Sequence, residues 1–206
     1  MRSQIWFDGL GTYTHFGLLL ASQEIEPAAP RETTVQVPGC DGTLDLSEAA
    51  GRLLYDDRTA KFSFLLPRDI PETARSLYKT LHGKRMSIVT PDSPGRYLTG
   101  RVSVGPLLYH RSWGRLTITC RCGPFYTAVQ PNRVVLRKSG TRTIRSGSAV
   151  PVIADVSVTG DAWQIGEQTF AAGEDGQLTL QPGENVLTAV CSGSGTLTLS
   201  YREVTL

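Results

Sequence analysis

The chain has 206 residues, 40 % of them hydrophobic and 19 % charged, with 21 Gly and 12 Pro. This excludes collagen, low-complexity disorder and a coiled coil, and no stretch approaches the ~20 apolar residues of a membrane helix. The net charge of +2 is unevenly spread: residues 1–92 hold 10 basic and 12 acidic groups, residues 93–154 hold 10 basic and none acidic, and residues 155–206 hold 1 basic and 7 acidic. Such asymmetry fits a partner of opposite sign, two regions that face each other between subunits, or simply a solvated basic surface.

In chain order, Gln4–Phe7 alternates as a strand, Asp8-Gly9 is a turn, and Phe16–Leu20 reads as a second strand. The short apolar run at Phe16–Ala21 lies behind Asp8, Tyr13 and His15 and has no clean small-x-small site after it. It does not read as a signal peptide, so first folding in a cytosol without disulfides is expected. Thr33–Val37, Thr43–Leu46 and Arg52–Tyr55 read as short strands around the loop Pro38–Gly42. Lys61–Leu66 is a stronger one, with Phe62, Phe64 and Leu66 on one face.

One α-helix is expected at about 70–83. Asp69-Ile-Pro-Glu72 resembles a capping box with Pro71 in the first turn. Ile70, Ala74, Leu77, Tyr78 and Leu81 form one apolar stripe, and Gly83 suits the position after the helix. Strands resume at Met86–Val89 and Tyr97–Val104. Leu107–His110 and Arg115–Cys122 then form a hairpin with Ser112-Trp113-Gly114 near its tip. Trp113 is a candidate contact there, or folds back onto its own sheet.

Alternation in Leu116–Cys122 puts Cys120 and Cys122 on the apolar face and Thr117, Thr119 and Arg121 on the other. Core packing is the expected role of both thiols. His15, His82 and His110 have no ligand spacing to them, so no metal site is expected. Residues 129–150 read as strand-like connecting segments between residues 1–128 and 151–206. The last part shows short strands with Gly-rich turns, the pattern of a small β-sandwich.

Catalytic motifs are not apparent: there is no nucleophile elbow, His-Glu-x-x-His helix or Walker loop. Asp56-Asp57 reads as an exposed charged bend rather than an acid–base pair. Trp163, between Asp161 and Glu167, is a core tryptophan of the sandwich or a sugar contact. The chain is expected not to be an enzyme and to need no cofactor.

Four segments resemble one family. They are Ile5–Gly9 with Phe16–Leu18; Val37–Leu46 with Tyr55–Arg58 and Phe62–Phe64; Leu81–Arg85 with Pro94–Val102; and Leu116–Cys120 running into Gly123–Phe125. In this order they are similar to the distal tail (Dit) proteins of long-tailed, siphovirus-type bacteriophages or prophages. Cys40 stands where that family often has a basic residue. The end of the chain, with Pro182–Val186 and Gly193–Thr196, is similar to the galectin-like or jelly-roll sandwich often appended to such proteins.

The resemblance implies a mainly β fold: a sandwich-like, ring-forming N-terminal domain at 1–128 and a C-terminal sandwich at 151–206. It implies a virion structural protein of the tail tip or baseplate, assembled in the host cytoplasm. The expected form is a homohexameric ring that joins the tail tube protein to tail-tip or lysin-type and receptor-binding proteins. DNA would pass its channel without specific binding, and no membrane insertion is implied. The alternative is a carbohydrate-binding adhesion module using the C-terminal sandwich, with Trp163 or Tyr201 as its platform.

Overall fold

The computed structural model describes residues 3–49, 51–67, 70–110 and 112–206, with only the backbone of His110. The fold is mainly β. The chain divides into two compact units, Met1–Phe125 with Leu206, and Tyr126–Thr205.

The first unit opens with β1 (Trp6–Phe7) and β2 (Leu10–Gly11). Asp8 and Gly9 join them with positive φ at both positions, 46° and 82°, the signature of a type I′ hairpin turn. A helix not expected from the sequence follows, α1 (Thr12–Phe16). Its five residues are too few to hold a helix alone. Gln4 supplies the missing partner: its side-chain Oε1 accepts the backbone N–H groups of Tyr13 and Thr14, each at 3.1 Å. Gly17, left-handed at φ 66°, ends the helix. The expected strand at Phe16–Leu20 therefore begins later, as β3 (Leu19–Ile25).

Two short strands, β4 (Thr34–Val35) and β5 (Leu44–Asp45), pair only with each other. The strand expected at Arg52–Tyr55 does not form. Tyr55 makes a single bridge to Pro30 and stacks edge-on against Phe125 at 5.9 Å. The strong strand is β6 (Arg58–Leu66), and its alternating burial puts Phe62, Phe64 and Leu66 in the core.

The expected helix is α2 (Ile70–Leu81). Ala74, Leu77 and Leu81 of its stripe are buried. Asp69, the expected N-cap, lies outside the described residues. Gly83 has φ 76°, and its N–H donates to the carbonyl of Val102 at 2.8 Å, which ties the helix end to the sheet.

The sheet is completed by β7 (Arg85–Val89), β8 (Arg96–Val104), β9 (Leu108–His110) and β10 (Trp113–Cys122). The order is β2-β1-β7-β8-β10-β6-β3, with β9 paired to β10. Phe7 and Phe62 have three strands between them in that order, roughly 19 Å across a flat sheet. Their rings meet at 6.3 Å, so the sheet rolls onto itself around the core. β8 and β10 pair without a break in register: Ile118–Cys122 run opposite Val104–Gly100 residue by residue.

The second unit is a sandwich of two four-stranded sheets. Its strands are β11 (Tyr126–Ala128), β12 (Asn132–Leu136), β13 (Gly140–Ser146), β14 (Val152–Gly160) and β15 (Trp163–Ile165). After them come β16 (Gln168–Phe170), β17 (Gly176–Leu180), β18 (Gly183–Cys191), β19 (Gly195–Tyr201) and β20 (Val204–Thr205). One sheet of the sandwich runs β12-β19-β14-β17 and the other β13-β18-β15-β16; β11 and β20 lie outside both and pair with each other. Val156, Leu197 and Leu199 of the first share a core with Ile144, Trp163 and Ala189 of the second.

The connecting role expected for 129–150 is corrected here. β12 and β13 lie in that segment and supply one strand to each sheet. Leu136 and Ile144 carry them into the core.

Candidate functional site

The chemistry-bearing side chains do not converge. Asp56 pairs with Arg31 at 2.6 Å and Asp57 with Arg121 at 3.1 Å, so the adjacent carboxylates serve two different arginines. Asp161 accepts the N–H of Ser194 at 2.7 Å and closes a turn of the sandwich. His82 Nδ1 accepts the N–H of Val104 at 3.0 Å, and His15 Nδ1 that of Gly11 at 3.0 Å, so each ring caps local backbone. Among the described residues no group of three or more His, Cys, Asp or Glu is placed to hold a metal ion.

Cys120 and Cys122 sit in the core of the rolled sheet, as the alternation of β10 dictates. Burial pushes the Cys120 thiol far up, and the neighbouring Cys122 adds to this. Burial also pushes Cys122 up to about 11, partly offset by the Arg58 cation. Both are protonated, unreactive core groups at neutral pH. Cys40 is exposed and Cys191 half-buried, and none of the four is disulfide-bonded.

The two tryptophans singled out from the sequence part company. Trp163 is 0 % exposed and faces the sandwich core, because β15 alternates it inward with Ile165. A buried ring cannot present a face to a sugar, so of the two readings of Trp163 the core one holds and the contact one falls. Tyr201 is also buried, at 5 % exposure, and burial raises its phenol pKa. Phe170 is buried and Tyr126 half-buried, so the second unit presents no exposed aromatic platform among its described residues.

Trp113 is 39 % exposed. It lies at the first position of β10 rather than at the loop tip, directly opposite His110. Leu108 and Tyr109 of the same hairpin are more exposed still. A second apolar surface, missed in the sequence reading, lies on the arm that carries β4 and β5. Val35, Val37, Leu44 and Leu46 are all exposed. Residues 26–57 around them hold seven acidic and two basic groups. Exposed clusters of this kind mark interaction surfaces. The sequence signal was the length of the arm, some thirty residues between β3 and β6 with Pro38, Gly39 and Gly42 at its tip but only two short strands.

Comparison with known proteins gives the geometry a context. No family model matches the sequence, and no curated protein matches it. Among solved structures the chain is similar to the Dit protein (gp 19.1) of phage SPP1. That structure is described as a paradigm of the hub adsorption apparatus in phages infecting Gram-positive hosts. The TM-score is 0.73, and the match covers 100 % of both chains at 12 % identity.

The chain has the Dit fold. The rolled sheet with its helix and the sandwich that follows are both part of the match, since neither chain has a segment outside it. The Dit fold is thus reached here with a sequence that shares about one residue in eight with its structural neighbour.

Proposed function

We propose that this chain is the structural hub subunit of a phage tail tip or baseplate. The full-length likeness to the SPP1 Dit protein carries the reading. In it, six copies close a ring through the first domain, residues 1–128. The ring joins the tail tube to tail-tip, lysin-type and receptor-binding proteins and leaves a channel for DNA. The chain acts as a virion component, first assembled in the bacterial cytoplasm and in some cases encoded by a prophage. It assigns no catalytic role to any residue.

A closed ring needs heterologous contacts, in which two different surfaces of one subunit meet. The uncovered apolar side chains of the β4–β5 arm and those of the β9–β10 hairpin with Trp113 support this reading, as two separate surfaces suited to burial. The carbohydrate-binding alternative has no such support, since its named rings, Trp163 and Tyr201, are buried. Gold-labelled antibody against the chain tests the proposal on intact virions. Label at the distal end of the tail is expected; label on the head, along the tail shaft only, or absent from virions contradicts it.

A further inference from the structure

Three arginines stand in one row across three adjacent strands of the first unit. Arg85 of β7 is directly opposite Arg101 of β8, and Arg101 is directly opposite Arg121 of β10. Neighbouring strands lie about 4.8 Å apart, so the row spans roughly 10 Å. All three side chains are exposed on the outward face. Like charges placed directly opposite each other destabilise a sheet.

The chain offsets only part of this charge. Asp57 pairs with Arg121 at one end. Arg101 donates from Nη1 to the Gly83 carbonyl at 2.6 Å, a neutral acceptor. Among the described residues Arg85 has no ion-pair or hydrogen-bond partner.

An open groove of about 520 Å³ follows the row. Thr99, Ser103 and Thr119 line it beside the arginines and add hydroxyl donors. Aliphatic and aromatic side chains are missing from its described lining. The described lining therefore has no aliphatic or aromatic anchor to seat a protein partner. Its chemistry suits an oxyanion instead. The planar guanidinium fork pairs two by two with phosphate oxygens, which a lysine cannot do. A chain of phosphates can meet all three members of the row at once.

We propose that the Arg85–Arg101–Arg121 row is a binding site for a ligand carrying several phosphate groups, either an inorganic polyphosphate or the backbone of a phosphodiester polymer. The guanidinium N–H and flanking hydroxyl groups donate to the phosphoryl oxygens. Asp57 holds Arg121 at one end and weakens the site there. This inference does not depend on the hub reading.

The test is calorimetric titration of the full chain with tripolyphosphate and with a short oligothymidylate, at about 50 mM and 200 mM salt. Arg101→Gln is expected to weaken binding about tenfold, the loss of one charge-assisted contact. Asp57→Asn is expected to tighten it, by freeing Arg121. Arg142→Gln, on β13 of the second unit, leaves it unchanged. Thermal unfolding of each variant shows that the fold is kept.

Tighter binding of tripolyphosphate identifies a free polyphosphate. Tighter binding of the oligomer, with a steep loss at the higher salt, identifies a phosphodiester polymer. Either upholds the site. No binding of either probe to the unaltered chain overturns it. So does binding that survives simultaneous Arg85→Gln, Arg101→Gln and Arg121→Gln in a folded protein.

Discussion

Tyr78 reaches across from α2 and donates its hydroxyl to the carbonyl of Gly105, 2.6 Å away at the end of β8. The ring belongs to the helix's apolar stripe, yet it stays exposed at the sheet margin. The hydroxyl rather than the ring area makes the contact. Gly105 also donates its own N–H to the carbonyl of Thr117 of β10 at 2.8 Å, so one residue at the end of β8 ties to both the helix and β10. Tyr78→Phe keeps the ring and removes the bond. It is expected to cost about 1 kcal/mol and to lower Tm by about 2–4 °C for a chain of this size. Differential scanning calorimetry reads this directly; an unchanged Tm contradicts it.

The core assignment of Trp163 gives the opposite kind of prediction. Trp163→Ala empties a fully buried site in the sandwich and is expected to cost about 3–5 kcal/mol. Trp163→Phe is expected to cost less, because Trp163 Nε1 is buried with no hydrogen-bond partner and the smaller ring removes that unmet donor. Chemical denaturation of the two variants checks the order. Equal losses would show that the indole N–H is satisfied in solution.

How far the sequence carried depends on where each signal comes from. β6 was legible because Phe62, Phe64 and Leu66 alternate within it, and α2 because its stripe recurs at helical spacing. α1 was not, because its N–H groups at Tyr13 and Thr14 are met by Gln4, nine and ten residues away. β12 and β13 read as strand-like connectors because Pro131, Ser139-Gly140 and Ser146–Ser148 break the segment and five basic residues lie within it. Only one face of each is buried, by Leu136 and Ile144. The outward position of Arg121 was legible from alternation in β10. Its alignment with Arg85 and Arg101 was not, since cross-strand register is a property of the pairing.

Thiol chemistry should separate the cysteines. The native chain is expected to react with a thiol reagent at exposed Cys40 first. Cys120 and Cys122 should react only on unfolding. The same burial sets a pH dependence. The Cys122 thiol rises from 9.0 to about 11 on folding, so the folded state favours its protonated form. Its contribution to stability is complete below pH 9 and is lost as pH rises from 9 towards 11. Urea midpoints measured across that range should fall for the unaltered chain and fall less for Cys122→Ala. Parallel slopes would contradict the assignment.

The arm offers a test that separates assembly from folding. Leu44→Asp adds a charge to a side chain that already faces solvent in the single chain, so the stability change is expected to stay within about 0.5 kcal/mol. If the arm is covered on assembly, the same charge is buried at a subunit contact and weakens it. Loss of the assembled species with an unchanged monomer Tm is the expected outcome by analytical ultracentrifugation. An assembly that forms normally would remove the arm from the contact.

The measurement that bears most directly on the hub reading is the solution mass by light scattering, paired with negative-stain imaging. Six copies of a 22.4 kDa chain, about 134 kDa, seen as six-fold rings with an open centre, are the predicted result. A chain that stays at 22.4 kDa at every concentration, or that closes with another symmetry, contradicts the account.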